Sequence, residues 1–324
     1  MRSHSSSALL ITGIAASSLV LAGCTTASAP AGNGDDSGLV QVVASTNVYG
    51  DIASRVGGDL VEVTSIISGP AQDPHSYEAT AQDQLTLSNA DLVIENGGGY
   101  DPFIDSMLEA SGDENVVVVN ASEASGLLEE GEEGDDDHAG ETEEEHAAHI
   151  EGFNEHVWYS FHGVERIAEE IAHELGEIDE ANATAYEENY EAFAAEIAEL
   201  EERAEGMRSQ VAGQGAAVTE PVPDYLLKEV GFENITPSDF SEAVEEGTDV
   251  SPAVLQETLS LFDDGSVSLL AYNVQTSGPI TEQVRTAAED AGVAIVSLTE
   301  TLPDGEDYIS WMSGNLDLIE DALA

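Results

Sequence analysis

Two periodicities alternate along this chain. Short runs rich in β-branched residues occur at Leu39–Ser45, Val61–Ile67, Asp91–Glu95 and Val116–Val119. Between them Asp51–Val56, Ala79–Ser88 and Pro102–Ala110 follow helical spacing. Strands separated by helical patterns predict βαβ units and a parallel sheet. The same alternation returns in the second half. Strands are predicted at Ala216–Thr219, Ser268–Tyr272 and Val293–Ser297, with helices at Pro223–Val230, Pro252–Phe262, Thr281–Ala291 and Asp307–Ala322. Helical periodicity also covers Val164–Leu175.

Between the halves lies an Ala/Glu-rich stretch, Ala181 to Val211, with no proline and no glycine before Gly206. Its apolar positions Ala185, Tyr190, Phe193, Ile197 and Leu200 suit one helical face. A helix of about 30 residues spans on the order of 45 Å, the width of a domain or more. The expected fold class is therefore α/β: two similar lobes, each a mostly parallel sheet flanked by helices, joined by one long backbone helix. The expected boundaries are 39–180 for the N-terminal lobe, 181–211 for the linking helix and 212–324 for the C-terminal lobe. In open α/β sheets ligands bind beyond the carboxyl ends of strands, which points to the cleft between the lobes.

One segment interrupts the alternation. Residues 127–152 carry two acidic runs and His138, His146 and His149, which are 3 of the chain's 8 histidines. Low complexity of this kind predicts a loop. It reads either as a solvated acidic loop or as a low-affinity tether that collects cations, and the clustering of histidines supports the second.

The start of the chain is an address. Met1-Arg2 is followed by a mostly apolar stretch from Ala8 to Leu21 that ends in Leu21-Ala22-Gly23-Cys24. This is a secretory signal with a lipoprotein-type cleavage box, so residues 1–23 are expected to be removed. The stretch is too short and too rich in Ser and Gly for a membrane span. Cys24 is the chain's only cysteine, which excludes an intrachain disulfide. The expectation is that Cys24 carries lipid and holds the mature protein on the outer face of the cell membrane. Residues 24–38 are small and polar, a flexible linker.

Charge narrows the partners. The chain has 7 Lys+Arg against 66 Asp+Glu, a formal net charge of -59. It repels nucleic-acid phosphates and anionic headgroups, so no nucleic-acid partner is expected. The hydrophobic fraction of 41% is that of a folded chain, not of a disordered acidic one. Acidity on this scale suits solubility in high salt and by itself says little about specific metal binding. A monomer is expected.

The chemistry lies in the loops. His75 follows the strand Val61–Ile67 within Asp73-Pro74-His75-Ser76-Tyr77-Glu78, and His156 stands in Asn154-Glu155-His156-Val157-Trp158. Glu220 directly follows the strand Ala216–Thr219, and Asn273 follows Ser268–Tyr272. Two imidazoles and a carboxylate on loops after strands suit a divalent metal of the zinc class. His162 and His173 read as helix-start and helix-surface residues. A metalloenzyme would need a base beside a metal-bound water. Glu155 is the only obvious candidate, and no HExxH motif occurs, so no enzymatic activity is expected. A surface adhesin or a passive metal buffer is the remaining rival.

These motifs together resemble the zinc- and manganese-binding receptors of bacterial ABC importers. The resemblance runs from about Val40 to Leu323 and rests on Ser45–Ala53, the 73–78 stretch, Ala90–Gly97 with Asp101, and His156-Val157-Trp158. It implies metal held between two α/β lobes, with His75 and His156 as the first two ligands. The family's third ligand is commonly a histidine about five residues before a helix-opening tyrosine; here Glu220 stands before Tyr225. The fourth is often an acid after a late strand, and Asn273 is the match. The implied partners are an ABC permease and its ATPase. With one secure carboxylate, Zn2+ is favoured and Mn2+ is the alternative.

Overall fold

The computed structural model describes residues 38–324, apart from 71, 113–114, 129–152, 212 and 264. The signal sequence, Cys24, the linker to residue 37 and positions 129–152 of the acidic segment lie outside the described residues.

Two four-stranded sheets organise the chain. The first contains β1 (Val40–Thr46), β2 (Val61–Ile67), β3 (Leu92–Glu95) and β4 (Val117–Asn120) in the order β2-β1-β3-β4. The second contains β5 (Gly215–Val218), β6 (Glu233–Asn234), β7 (Val267–Asn273) and β8 (Ala294–Leu298) in the order β6-β5-β7-β8. Every pairing is parallel, for example Val42 with Val63 and Leu92, and Ala217 with Leu270. Parallel strands need helical crossovers, which cover both faces of the sheet.

In the first lobe the helices are α1 (Asn47–Gly57), α2 (Ala81–Leu87), α3 (Pro102–Ser111) and α4 (Ala121–Ser125). Then α5 (Phe161–Ile178) and the 29-residue α6 (Ala183–Val211) lead into the second lobe. That lobe adds α7 (Asp224–Val230), α8 (Ser238–Glu245), α9 (Pro252–Ser260), α10 (Pro279–Ala291) and α11 (Tyr308–Ala322). No helix among the described residues is long and apolar enough to cross a membrane.

The period-2 geometry of strands sorts the core into layers. Val42, Ala44 and Ile94 of the first sheet, and Ala216, Val218 and Ala271 of the second, point into one shared core. Trp158, Leu200, Met207 and Trp311 belong to the same core, which therefore runs unbroken from lobe to lobe through α6. The alternate residues face outward into separate clusters: Val43 and Val93 against Phe103 and Met107, and Ala217 and Leu270 against Phe240 and Val284. The buried stripe of α6 is Tyr186, Phe193, Ile197, Leu200, Ala204, Met207 and Val211, steps of three, four or seven residues that keep one face inward. Arg55 of α1 pairs with Glu196 of α6 and with Asp307 just before α11, each at 2.7 Å. Arg203 of α6 pairs with Asp317 and, at 2.9 Å, with Glu320 of α11.

The expected strands fall within a residue or so of those observed. The departures include the helices α4 and α8, the two-residue β6, an α1 that starts at Asn47 rather than Asp51, and an α5 that spans Phe161–Ile178 rather than Val164–Leu175. The stretch Ser238–Glu245 escapes a periodicity reading because Phe240 is the only large apolar side chain that it buries.

Candidate metal centre

Both histidines are set by the same local device. Asp73 Oδ1 accepts from the His75 backbone N–H at 3.0 Å, and Asp73 Oδ2 accepts from Ser76 Oγ at 2.9 Å. Asn154 Oδ1 accepts from the His156 backbone N–H at 3.1 Å. Side-chain oxygens that bind the backbone two residues on make Asx turns, which fix the chain where it leaves regular structure. After His156 a single 3₁₀ turn, Val157–Tyr159, leads into α5, whose first turn is capped by Ser160.

Aromatic rings wall the imidazoles. Tyr100 stands edge-on to His75 at 5.0 Å and to His156 at 5.8 Å, and Trp158 lies 5.1 Å from His156. The turn that delivers Tyr100 needs glycine: Gly97, Gly98 and Gly99 have φ of 70°, 65° and 97°. A side chain at Gly97 would also collide with Asn120. Asp101 closes this turn by accepting from the backbone N–H groups of Asn96 and Gly97 at 2.7 and 2.9 Å.

Carboxylates face the rings, most of them from the second lobe. Glu245 ends α8, and its Oε1 lies 3.3 Å from His156 Nε2. One ligand atom each from His75, His156 and Glu245 falls within 4.8 Å of the others, close enough to share one ion. Glu155 Oε1 lies 3.9 Å from His75 Nε2. Glu300 follows β8 and accepts from Tyr100 Oη at 2.8 Å. Glu220 follows β5, is 2% exposed, and accepts at Oε2 from Asn273 Nδ2 and Thr276 Oγ1.

Burial and neighbouring charge raise the proton affinity of these acids. Burial and then the charge of Glu220 push Glu300 up to about 8. Burial, followed by Glu155, Glu220 and Glu300, raises Glu245 far above the usual carboxylate range. Glu220 is raised by burial and only partly relieved by Thr276 and Asn273. The ion pairs of Arg55, Arg203 and Arg285 lie elsewhere. Carboxylates crowded at low dielectric have two remedies, a proton or a metal cation. With paired imidazoles opposite, the second makes a chelating site.

The residues singled out in the sequence are placed as follows. His75 and His156 come together and share their space with Glu245. Glu220 and Asn273 contact each other, and the charge of Glu220 reaches both Glu245 and Glu300. The Asn273 amide is engaged at both ends, with Nδ2 on Glu220 and Oδ1 accepting from Gln275 N at 3.0 Å. His162 and His173 are exposed on α5. The sequence reading missed Glu245 and Glu300. Glu300 stood within reach of the strand-end rule, three residues beyond Ser297. Glu245 carried no signal, because its helix was not predicted.

Comparison with known proteins places this architecture. The family model "Zinc-uptake complex component A periplasmic" (ZnuA) matches residues 42–322. The manganese ABC transporter substrate-binding lipoprotein scaA of Streptococcus gordonii is 27% identical over 313 residues, covering 89% of this chain and 90% of that one. The manganese-binding lipoprotein MntA of Halalkalibacterium halodurans is 25% identical over 315 residues, covering 94% and 95%. Among solved structures, the SBP FpvC from Pseudomonas aeruginosa in complex with Mn2+ aligns with a TM-score of 0.68 at 25% identity, over 88% of this chain and 98% of that one.

Proposed function

The chain belongs to the ZnuA family, the periplasmic component A of zinc-uptake complexes, and from that premise we propose that its cargo is Mn2+, captured between the lobes and handed to a permease and its ATPase. Membership makes it a metal-binding receptor of an ABC importer and not an enzyme. The proposed ligands are His75 and His156 on one wall and Glu220, Glu245 and Glu300 on the other. Asn273, expected from the sequence as a ligand, is assigned instead to orienting Glu220.

The observation that carries manganese over zinc is the number of carboxylates. The sequence offered one secure carboxylate, Glu220. The cleft adds Glu245 beside His156 and Glu300 within the field of Glu220. Carboxylate oxygen and higher coordination numbers suit Mn2+, whereas zinc is satisfied by about four ligands with nitrogen or sulfur prominent. The relatives named for manganese support the same reading. Zn2+ remains the second reading, favoured by the imidazole pair and by the family's description.

Sites of this donor type generally bind zinc more tightly than manganese, so affinity in a cuvette does not decide the cargo. The decisive test is deletion of the gene in its own host, with each ion resupplied separately. Growth restored by manganese and not by zinc is expected; rescue by zinc alone rejects the manganese reading. We further propose that the mature chain begins at an acylated Cys24 on the outer membrane face, as in the relatives named lipoproteins. Mass spectrometry of the membrane-extracted protein tests this, and an unmodified amino terminus elsewhere rejects it.

A further inference from the structure

Asn154 makes a second set of contacts, and they reach the opposite lobe. Its Nδ2 donates to the Pro221 carbonyl oxygen at 2.9 Å, and its own backbone carbonyl accepts from Tyr225 Oη at 2.8 Å. Pro221 is the residue after Glu220, and Tyr225 lies on α7. Toward its own lobe, Oδ1 accepts from the His156 backbone N–H and lies 2.7 Å from His156 Nδ1.

These partners leave the amide one orientation. A backbone N–H can only donate, so the atom facing His156 N must be oxygen. A proline carbonyl can only accept, so the atom facing Pro221 must be nitrogen. Turning the amide over would set donor against donor and acceptor against acceptor. With Oδ1 thus fixed, His156 Nδ1 beside it must carry the proton. In a neutral ring the lone pair then resides on Nε2, the atom 3.3 Å from Glu245 Oε1. Asp73, which makes the matching turn at His75, spends both oxygens within its own loop and has no N–H to offer across the cleft.

We propose that Asn154 is the positioning residue of the metal centre: its amide oxygen holds His156 as the Nδ1–H tautomer, and its amide nitrogen fastens that histidine to the strand end that presents Glu220. The proposal rests on the reading that His156 and Glu220 hold the metal. One side chain thereby sets both the ligand atom of one wall and its separation from the other. Loss of such an outer contact ordinarily lowers metal affinity about 10–100-fold.

The test uses the full mature chain with Mn2+ as the probe in calorimetry, and nitrogen-15 NMR of the histidine rings without metal. Asn154→Ala should bind Mn2+ about 10–100-fold more weakly, and the His156 ring should lose its single Nδ1–H signature. Asn154→Asp keeps an acceptor for Nδ1 but loses the donor to Pro221. It should therefore restore the ring signature, which a general folding defect would not allow. His156→Ala is measured alongside. Binding lost in His156→Ala but unchanged in Asn154→Ala overturns the role of Asn154 and leaves the site standing. An unaltered ring signature in Asn154→Ala overturns it as well. Unchanged binding in His156→Ala removes the site reading itself, and this proposal with it.

Discussion

The first sheet runs β2-β1-β3-β4 and the second β6-β5-β7-β8, the same order with the same parallel sense, yet the two lobes bring different chemistry to the cleft. The first lobe and the segment after it supply directional imidazole donors on Asx turns, His75 and His156, backed by Tyr100 and Trp158. The second supplies carboxyl groups: Glu220 after β5, Glu300 after β8, and Glu245 at the end of α8. Architecture fixes where loops converge, and the loops decide what converges there. The first lobe also contains a useful control. Glu95 ends β3, is 7% exposed, and is raised to about 8 by burial and then by Asp101 and Asp105. It meets the same electrostatic problem away from the imidazoles, partly relieved by a hydrogen bond from Asn120 at 2.9 Å.

The sharpest way to break the division between walls is on the imidazole side. His75→Ala and His156→Ala should each lower Mn2+ affinity by more than about 100-fold, beyond the range of an outer contact, whereas His162→Ala should do nothing. Calorimetric affinities unchanged in both cleft variants would end the assignment. On the acidic side, Glu245→Ala and Glu300→Ala should each weaken Mn2+ by about tenfold or more and Zn2+ by less, because the harder ion depends more on carboxylates. Equal losses for both ions would show that these acids attract charge without selecting the ion.

Acid should weaken capture, by about tenfold between pH 8 and pH 6, as protons compete for imidazoles and carboxylates. Burial and the charge of Glu220 raise Glu300 to about 8, so if it is a ligand, as proposed, a cation arriving near neutral pH should displace a proton there. Calorimetry in buffers of different ionisation enthalpy should therefore report protons released on binding. No release at pH 7 would mean that Glu300 does not meet the ion.

The smallest effect concerns Glu95. Its folded value of about 8 exceeds the unfolded value of about 4.3. The folded state therefore binds more protons between these limits, and stability falls as pH rises through them. Glu95→Gln should remove part of that decline, raising the melting temperature by on the order of a few degrees at pH 8 and little at pH 4. Bound Mn2+ should leave this benefit intact, since Glu95 belongs to the other kind of buried acid. A melting curve for Glu95→Gln that parallels wild type at every pH would refute this.

Much of this fold was legible because strands and helices alternate with clear periods. Val61–Ile67 and the long run to Val211 announce themselves through β-branched and Ala/Glu-rich composition. His75 and Glu220 were legible for a related reason, since both follow strands. The rest depended on tertiary contacts. Glu245 rides on a helix anchored by one phenylalanine, so neither the element nor its acid stood out. Asn273 was expected as a ligand from its place at the end of β7; that its amide contacts Glu220 and Gln275 could be seen only in the folded chain. The choice between ions shifted for the same reason: carboxylates 25 and 80 residues beyond Glu220 in sequence converge only when the second lobe folds.

The 29-residue helix α6 also bears on how long the cargo stays. At 1.5 Å per residue it is a spar of about 43 Å. It is riveted near its middle to α1 through Glu196 and further along to α11 through Arg203. A beam fixed to both halves along its length offers no free span to flex, and the core crossing it would have to shear before the lobes could swing like jaws. Unaided departure of the ion must then wait for a rare local opening, which makes for a long residence time. If the chain delivers its ion to a permease as proposed, unloading is a task for that partner, which must supply the work that the spar withholds.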